Sequence, residues 1–570
     1  MKQILLAITL FITGFNASAQ TEIEIKDADL EGDKTYNWTN DNVYVLDGFV
    51  FLEQGGVLNI EAGTVIKAKG RAEVSTGDRT SALIIARGGK INAIGTASAP
   101  VIFTSIQDNV NDPTDLGLND RGLWGGLIIL GKGTIAENSG EDLIEGLPSS
   151  ESRAFYGGNI NEDDSGILNY VSIRHGGDEI EQDKEINGLT LAGVGSSTEI
   201  DFVEVVSNLD DGIEFFGGTV NVKHAVIAYC GDECFDYDES WAGRGQFWFG
   251  LIGIDIGDQA GEHDGSEADD ENDFVSIPKI YNATYIGPGD ENVDVKAPRV
   301  LHFKSRGTGI YGNSIFTGFA KAGLQVEDRP ESEGEDSYSL MLEGKLKVLN
   351  TIWYSKSWND VNDLIQVDEI AEHSESNELM DVFSGEWANT LEDPALNSIG
   401  RGSYQNITKI LGDVDLDPRP LDGGAAYSNL GAVPSENVRD VLFFEAVDYK
   451  GAFGENNWAL GWTALHSMKF FDDTDQTTIG INTIDQIKQI NLSPNPATNK
   501  TTLNFELEDN LDMTVGIFDQ TGKLIRFVGS ESFSIGWNEL TIQVDGISAG
   551  IYFVRLQNKN KNTSLKLLVK

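Results

Sequence analysis

The stretch Asp201-Phe-Val-Glu-Val-Val-Ser-Asn-Leu-Asp-Asp-Gly-Ile-Glu-Phe215 returns 22 positions later as Lys223-His-Ala-Val-Ile-Ala-Tyr-Cys-Gly-Asp-Glu-Cys-Phe-Asp-Tyr237. Val203/Ala225, Val205/Ile227, Asp210/Asp232, Ile213/Phe235 and Glu214/Asp236 coincide, and a further step of 22 lands on Phe247 and Phe249. Upstream, Leu58–Gly70 matches Leu83–Gly95 at an offset of 25, with Leu58/Leu83, Ile60/Ile85, Gly63/Gly88, Ile66/Ile91, Ala68/Ala93 and Gly70/Gly95 in common. Leu127–Ile135 reads as a shifted copy, and Gly312–Val326 as a similar unit. Each unit is a strand, a glycine turn and another strand, with apolar residues alternating. A repeat this short cannot bury its own apolar face, so successive copies must stack. The expected fold is all-β, a parallel β-helix whose strands lie about 4.8 Å above one another. Leucine-rich repeats share the period, but their L-x-x-L-x-L-x-x-N frame is absent. The bland alternative is a β-sandwich whose strands resemble one another by chance.

Segments that break the repeat are expected as lateral loops. Asp258–Asp273 carries eight Asp/Glu and no Lys/Arg, and Asp328–Asp336 is a second acidic loop. Residues 355–400 read as short helical or irregular insertions, with helical spacing in Asp360–Glu378. The aromatic-rich run Phe443–Trp462 is expected to cap the open end of the solenoid, with a ligand groove as the sharper alternative.

Charge narrows the partners. The chain holds 91 Asp+Glu against 41 Lys+Arg, a net charge of −50. Nucleic acid and anionic membrane surfaces would be repelled. Hydrophobic residues at 40% supply enough apolar surface for a folded core. Lys2, the apolar stretch Ile4–Phe15 and Ala17-Ser18-Ala19 before Gln20 read as a signal peptide over residues 1–19. Losing that peptide removes one positive charge and leaves −51. No later segment is apolar for 18 residues, so no transmembrane helix is expected. Cys230 and Cys234 sit in Tyr-Cys-Gly-Asp-Glu-Cys-Phe; a disulfide across Gly231-Asp232 and two small buried thiols are both open readings.

A boundary lies near residue 490. Residues 472–490 are polar and read as a linker. Beyond them, five strand-like runs follow: Thr501–Leu507, Thr514–Phe518, Leu524–Val528, Glu539–Val544 and Ile551–Leu556. Asp519-Gln-Thr-Gly522 is a hairpin signal. Eight acidic and eight basic residues between 493 and 570 cancel, so the preceding body carries the whole excess. The tail is expected as a small immunoglobulin-like β-sandwich. Ser493-Pro-Asn-Pro496, Ile517-Phe-Asp-Gln-Thr-Gly-Lys523, Gly546-Ile-Ser-Ala-Gly-Ile-Tyr552 and Lys566-Leu-Leu-Val-Lys570 resemble the type A C-terminal sorting domain of the type IX secretion system. That resemblance implies export in two steps, through the signal peptide and then the type IX machinery acting on residues 493–570. It also implies a protein released or held at the outer cell surface. The body, through Asn208-Leu-Asp-Asp-Gly-Ile-Glu-Phe-Phe-Gly-Gly218, Gly245-Gln-Phe-Trp248 and Gly451-Ala-Phe-Gly454, resembles uncharacterised secreted β-helix proteins and brings no reaction with it. The expected organisation is a signal peptide over 1–19, a β-helix with lateral loops and cap over 20–471, a linker over 472–490 and a sorting domain over 491–570.

The chemistry lies in stacked carboxylates. Asp210, Asp211 and Glu214 stand one repeat before Asp232, Glu233 and Asp236, with Asp238 nearby. Carboxylates stacked at strand spacing repel unless a cation or a proton intervenes. Ca²⁺, which takes six to eight oxygens, is the expected ion at Asp210, Asp211, Glu214, Asp232, Asp236 and Asp238. Solvated surface charge is the plain alternative; no EF-hand loop or G-G-x-G-x-D repeat marks a site. Asp211, Asp232 and Asp236 could instead act as acid and base in glycoside cleavage, with Lys184, Arg174, Lys223 or Arg244 holding a uronate. His175, His224 and His263 form no zinc motif and read as surface or turn residues. Trp241, Trp248, Trp353 and Trp358 suit core stacking better than sugar stacking. The sequence therefore points to a secreted or cell-surface binder of extracellular polysaccharide or surface components, with a β-helix lyase or hydrolase as the runner-up.

Overall fold

The computed structural model describes residues 20–570 except 179, 181–184, 267–274, 290–298, 331–333, 368–381, 402–413, 472–483, 485, 519–523 and 559–560. The signal peptide, Lys184, the hairpin signal at Asp519–Gly522 and most of the linker lie outside the described residues.

Parallel strands stack into a three-faced solenoid. The first face runs from Thr35–Trp38 through Val57–Ile60 and Lys90–Ile94 into the front halves of the long strands Gly166–Arg174, Glu199–Val206, Asn221–Ala228 and Arg244–Leu251. The back halves of the same strands continue the second face, which begins at Thr21–Ile25. The third face is a ten-stranded sheet among the described residues, from Phe49–Leu52 to Ile365–Val367. Inward residues form one continuous core, from Ile25 and Leu46 to Trp353 and Phe383.

The register follows the 22-residue repeat. Val203 lies beside Ala225 and Val205 beside Ile227; Ile213 lies beside Phe235 and Glu214 beside Asp236. Val205 and Ile227 are both buried in the core. The next step, however, is 23, since Ala225 pairs with Trp248. The turn between Asp238 and Arg244 is one residue longer than that between Phe216 and Asn221. The offset of 25 is not a stacking register. Leu58 stacks on Ile91, and Val50 on Leu83, both 33 positions away. Leu58–Ile60 and Leu83–Ile85 belong to different faces of the solenoid. All faces share one alternation, so a coil resembles itself as well as its neighbours.

The corner between the first two faces is a stack of left-handed residues: Tyr170, Phe202, His224, Phe247, Asn282, Asn313 and Asn350, with φ between 49° and 59°. Asn tolerates that region best. The four ring-bearing residues instead stack face to face, with centroids 4.3, 4.2 and 4.9 Å apart.

Two outer layers cover the solenoid. Ile135, Ile144, Leu147, Ala154 and Tyr156 seal the apolar outer surface of the third face over Phe49, Phe51, Ile84 and Ile128. The run Phe443–Trp462 does not cap the end. It lies along the side, with Phe453 against Phe249, Trp458 against Phe202 and His224, and Phe444 against Tyr281. Buried Glu204 helps pin this strap by accepting the backbone N–H groups of Ala464 and Leu465. Trp358, Phe383 and Trp387 join the core beside Trp353 in the last coils instead.

In the tail, a three-stranded and a four-stranded antiparallel sheet enclose a separate core including Leu503, Phe505, Val515, Val554 and Leu567. Its strands include Ile487–Ser493 and Lys561–Val569, which the sequence pattern had not shown. The former begins inside the stretch read as linker. Among the described residues, no helix is long and apolar enough to cross a membrane.

Candidate metal centre

Outward positions of the third face and of the turn entering it form columns, because each coil copies the last. Counting back from the first strand residues Leu189, Ile213, Phe235 and Gly261, which stack, one column reads Asn187, Asp211, Glu233, Gln259. The position before it reads Ile186, Asp210, Asp232, Asp258. On the strands themselves, Thr190, Glu214, Asp236, Glu262 and His302 stack, followed by Gln325.

Of the residues picked from the sequence, Asp211 and Asp236 come together with Glu233: one ligand oxygen of each lies within 4.8 Å of the others. Asp232 joins a second such group with Glu233 and Asp258. Asp232 is close enough to Asp210 to perturb it electrostatically, and Glu214 accepts a hydrogen bond from Asn187 Nδ2. Asp238 lies further along the strand, where its Oδ1 caps the N–H of Glu239 (2.6 Å). The sequence pattern places Glu233 in the ladder but not among the ligands, and Asp258 in a loop. The 22-residue offset places Glu233 after Asp211, but Asp258 follows Asp232 by 26 positions, so a constant offset misses it.

Asp211, Glu233 and Glu214 are buried, at 5%, 6% and 8% exposure, while Asp210, Asp232, Asp236 and Asp258 are half-buried. Burial, then the negative charge of neighbours, pushes Asp211, Glu214, Glu233 and Asp236 well above the usual carboxylate range. Asp210 is pushed up to about 8 by burial and by Asp232. Among the described residues, no Lys or Arg forms a salt bridge with Asp211, Glu233 or Asp236. The donor set is all oxygen, as a hard cation requires. Glu233 Oε1 also accepts from Gln259 Nε2 at 3.1 Å, and Asp211 Oδ1 from the Glu233 N–H at 2.8 Å.

The coil after Gln259 changes sign. Its strand Leu301–Lys304 brings His302 Nδ1 to 3.2 Å and Lys304 Nζ to 2.7 Å from Glu262, and Lys304 to 3.3 Å from Asp264. The hydrogen bond from His302 and the charge of Lys304 overcome the upward push of burial and hold Glu262 at about 2. Asp264, more affected by burial, stands at about 6.

The basic residues named from the sequence serve elsewhere. Arg174 bonds Ser172, Lys223 pairs with Glu445 at 3.0 Å and Arg244 with Asp440 at 2.7 Å, so the last two anchor the strap. His175 and His224 do sit at left-handed turns, but His175 is buried; His263 is a core residue stacked on Tyr237 at 3.9 Å. Trp241, Trp248, Trp353 and Trp358 are buried in the core. Cys230 and Cys234 are free and buried, which corrects the disulfide alternative.

A profile described as a pectate-lyase like beta helix domain matches residues 31–392, more than half the chain. The chain belongs to that family. Residues 491–570 match a second profile, described as a secretion system C-terminal sorting domain. The tail therefore marks this pectate-lyase-like β-helix for export by the type IX system, to the cell surface or beyond. No curated protein matches the chain.

Proposed function

We propose that this β-helix is a surface or released binding protein that loads Ca²⁺ at Asp211, Glu233 and Asp236 and presents the third face to extracellular glycan. The division into a signal peptide over 1–19, a body ending near 471 and a tail is part of this reading. The carboxylate group of buried Asp211 and Glu233 with half-buried Asp236, to which no Lys or Arg forms a salt bridge among the described residues, supports it most. Desolvated like charges disfavour the fold, and a hard cation removes that repulsion. When bound, the ion would offer a positive centre to the hydroxyls or carboxylates of a polysaccharide; His302 and Lys304 would flank it.

The test is a glycan array probed with the mature chain in millimolar CaCl₂ and in EDTA. Calcium-dependent retention on a polysaccharide supports the reading; equal signals in both buffers, or none, remove it.

The juxtaposition of His302 and Lys304 with Glu262, Asp264 and Asp236 favours a second reading, a polysaccharide lyase or hydrolase. Release of reducing ends or unsaturated products from a retained polysaccharide would replace binding by cleavage.

A further inference from the structure

The acidic turn contains two carboxylate groups that share one member. Asp211, Glu233 and Asp236 form the first, and Asp232, Glu233 and Asp258 the second. In each, one oxygen per residue lies within 4.8 Å of the others. With Ca–O bonds of about 2.3–2.6 Å, oxygens on opposite sides of one ion stand about 5 Å apart, so each group matches the span of a single cation.

A second observation lies beside the shared Glu233. Gln259 occupies the position of Glu233 one coil on and is 2% exposed. Its Nε2 donates to Glu233 Oε1 at 3.1 Å and to Glu262 Oε1 at 2.6 Å, which fixes the amide against the shared glutamate. Its own Oε1 is buried and has no hydrogen-bond partner among the described residues. A buried amide oxygen normally accepts a hydrogen bond, and leaving one unmade is costly. Oε1 is also a hard, neutral oxygen of the kind that completes a Ca²⁺ shell beside carboxylates.

We propose that the turn holds two divalent cations, the second between Asp232, Glu233 and Asp258 with Gln259 Oε1 as a neutral ligand, and that Glu233 bridges the pair. This rests on the reading that the first group binds Ca²⁺. Three coils contribute: Asp211 from one, Asp232, Glu233 and Asp236 from the next, Asp258 and Gln259 from the third. The two ions would clamp those coils together on the outside, and loss of Glu233 would disturb both.

Calcium titration calorimetry on the EDTA-stripped mature chain counts the ions. Two per chain are expected for the wild type and one for either Asp258→Asn or Asp211→Asn. In Glu233→Gln both sites weaken by about tenfold or more, as expected when ligand charge is lost. Gln259→Met, which keeps the volume and every carboxylate, weakens only the second site. The Mn²⁺-loaded wild type should give a spin-coupled electron paramagnetic resonance spectrum, and Asp258→Asn the six-line spectrum of an isolated ion. No bound ion in the wild type overturns the first site as well. One ion, lost in Asp211→Asn and kept in Asp258→Asn, overturns only the second. Two ions without spin coupling overturn the bridge.

Discussion

Two corners of the solenoid are built by the same stacking and have opposite energetics. At the first, Tyr170, Phe202, His224 and Phe247 repeat coil by coil, with ring centroids 4.2 to 4.9 Å apart. At the second, Asp211 and Glu233 repeat in the same way, flanked by Asp210 and Asp232. Rings at that distance attract, and Trp458 and Trp462 close over them edge-on. Carboxylates at that distance repel, and no Lys or Arg salt bridge reaches the Asp211–Glu233–Asp236 group among the described residues. A β-helix amplifies whatever its repeat supplies. An aromatic column is complete in itself, whereas a buried acidic column needs a proton or a cation.

The largest effect should come from breaking the ladder that both corners share. Val205→Asp places a charge in the core beside Ile227, at a cost of about 4 kcal/mol or more. Loss of the cooperative melting transition checks it; a stable, normally melting variant would refute the inward register.

Next, Phe202→Ala removes the ring between Tyr170 and His224 and should destabilise by about 3 kcal/mol, read from denaturant midpoints. The acidic counterpart, Asp236→Asn, should have the opposite sign in EDTA: a gain of about 1 kcal/mol from relieved repulsion. In millimolar CaCl₂ the wild type should overtake it, and Mg²⁺ should do less because it keeps its water. A calcium response equal in both proteins would reduce the column to plain charge.

The pH dependence sharpens the contrast. Unfolded carboxylates titrate near 4, while Asp210 is pushed up to about 8 and Asp264 to about 6 in the fold. Between those values the folded state holds more protons than the unfolded one. Stability in EDTA should therefore fall as pH rises from about 4 to about 8. Calcium should flatten the slope and release protons on binding. A melting temperature that rises over this range in EDTA would contradict the burial of these groups. The smallest effect on the body's stability should come from ending the chain after Phe471: melting unchanged within about 0.5 kcal/mol, with secretion lost. Fractionation showing the truncated chain outside the cell would contradict the sorting role.

The sequence carried more of the acidic corner than of the aromatic one. Glu214 over Asp236 and Val205 over Ile227 were legible because strand alternation and a constant offset survive in a single pair of coils. Glu233 and Asp258 as ligands were not, because which acidic side chains converge depends on the turn they share. Nor was the left-handed corner, since Tyr and Phe carry no local signal for positive φ. The strap was misplaced for a related reason: an apolar aromatic run shows that something must be covered, without saying whether the end or the side.

The sequence alone determined the parallel β-helix, the excess of negative charge and the sorting tail, for each rests on a pattern that is periodic, additive or local. The tertiary structure decided that Leu58 meets Ile91 rather than Leu83, that Phe443–Trp462 lies along the side across the first two faces and their corner, and that Glu233 stands between two acidic groups. Those outcomes depend on turn lengths summed around a coil and on which buried faces find each other. A one-residue change in a turn shifts them while leaving the repeat intact.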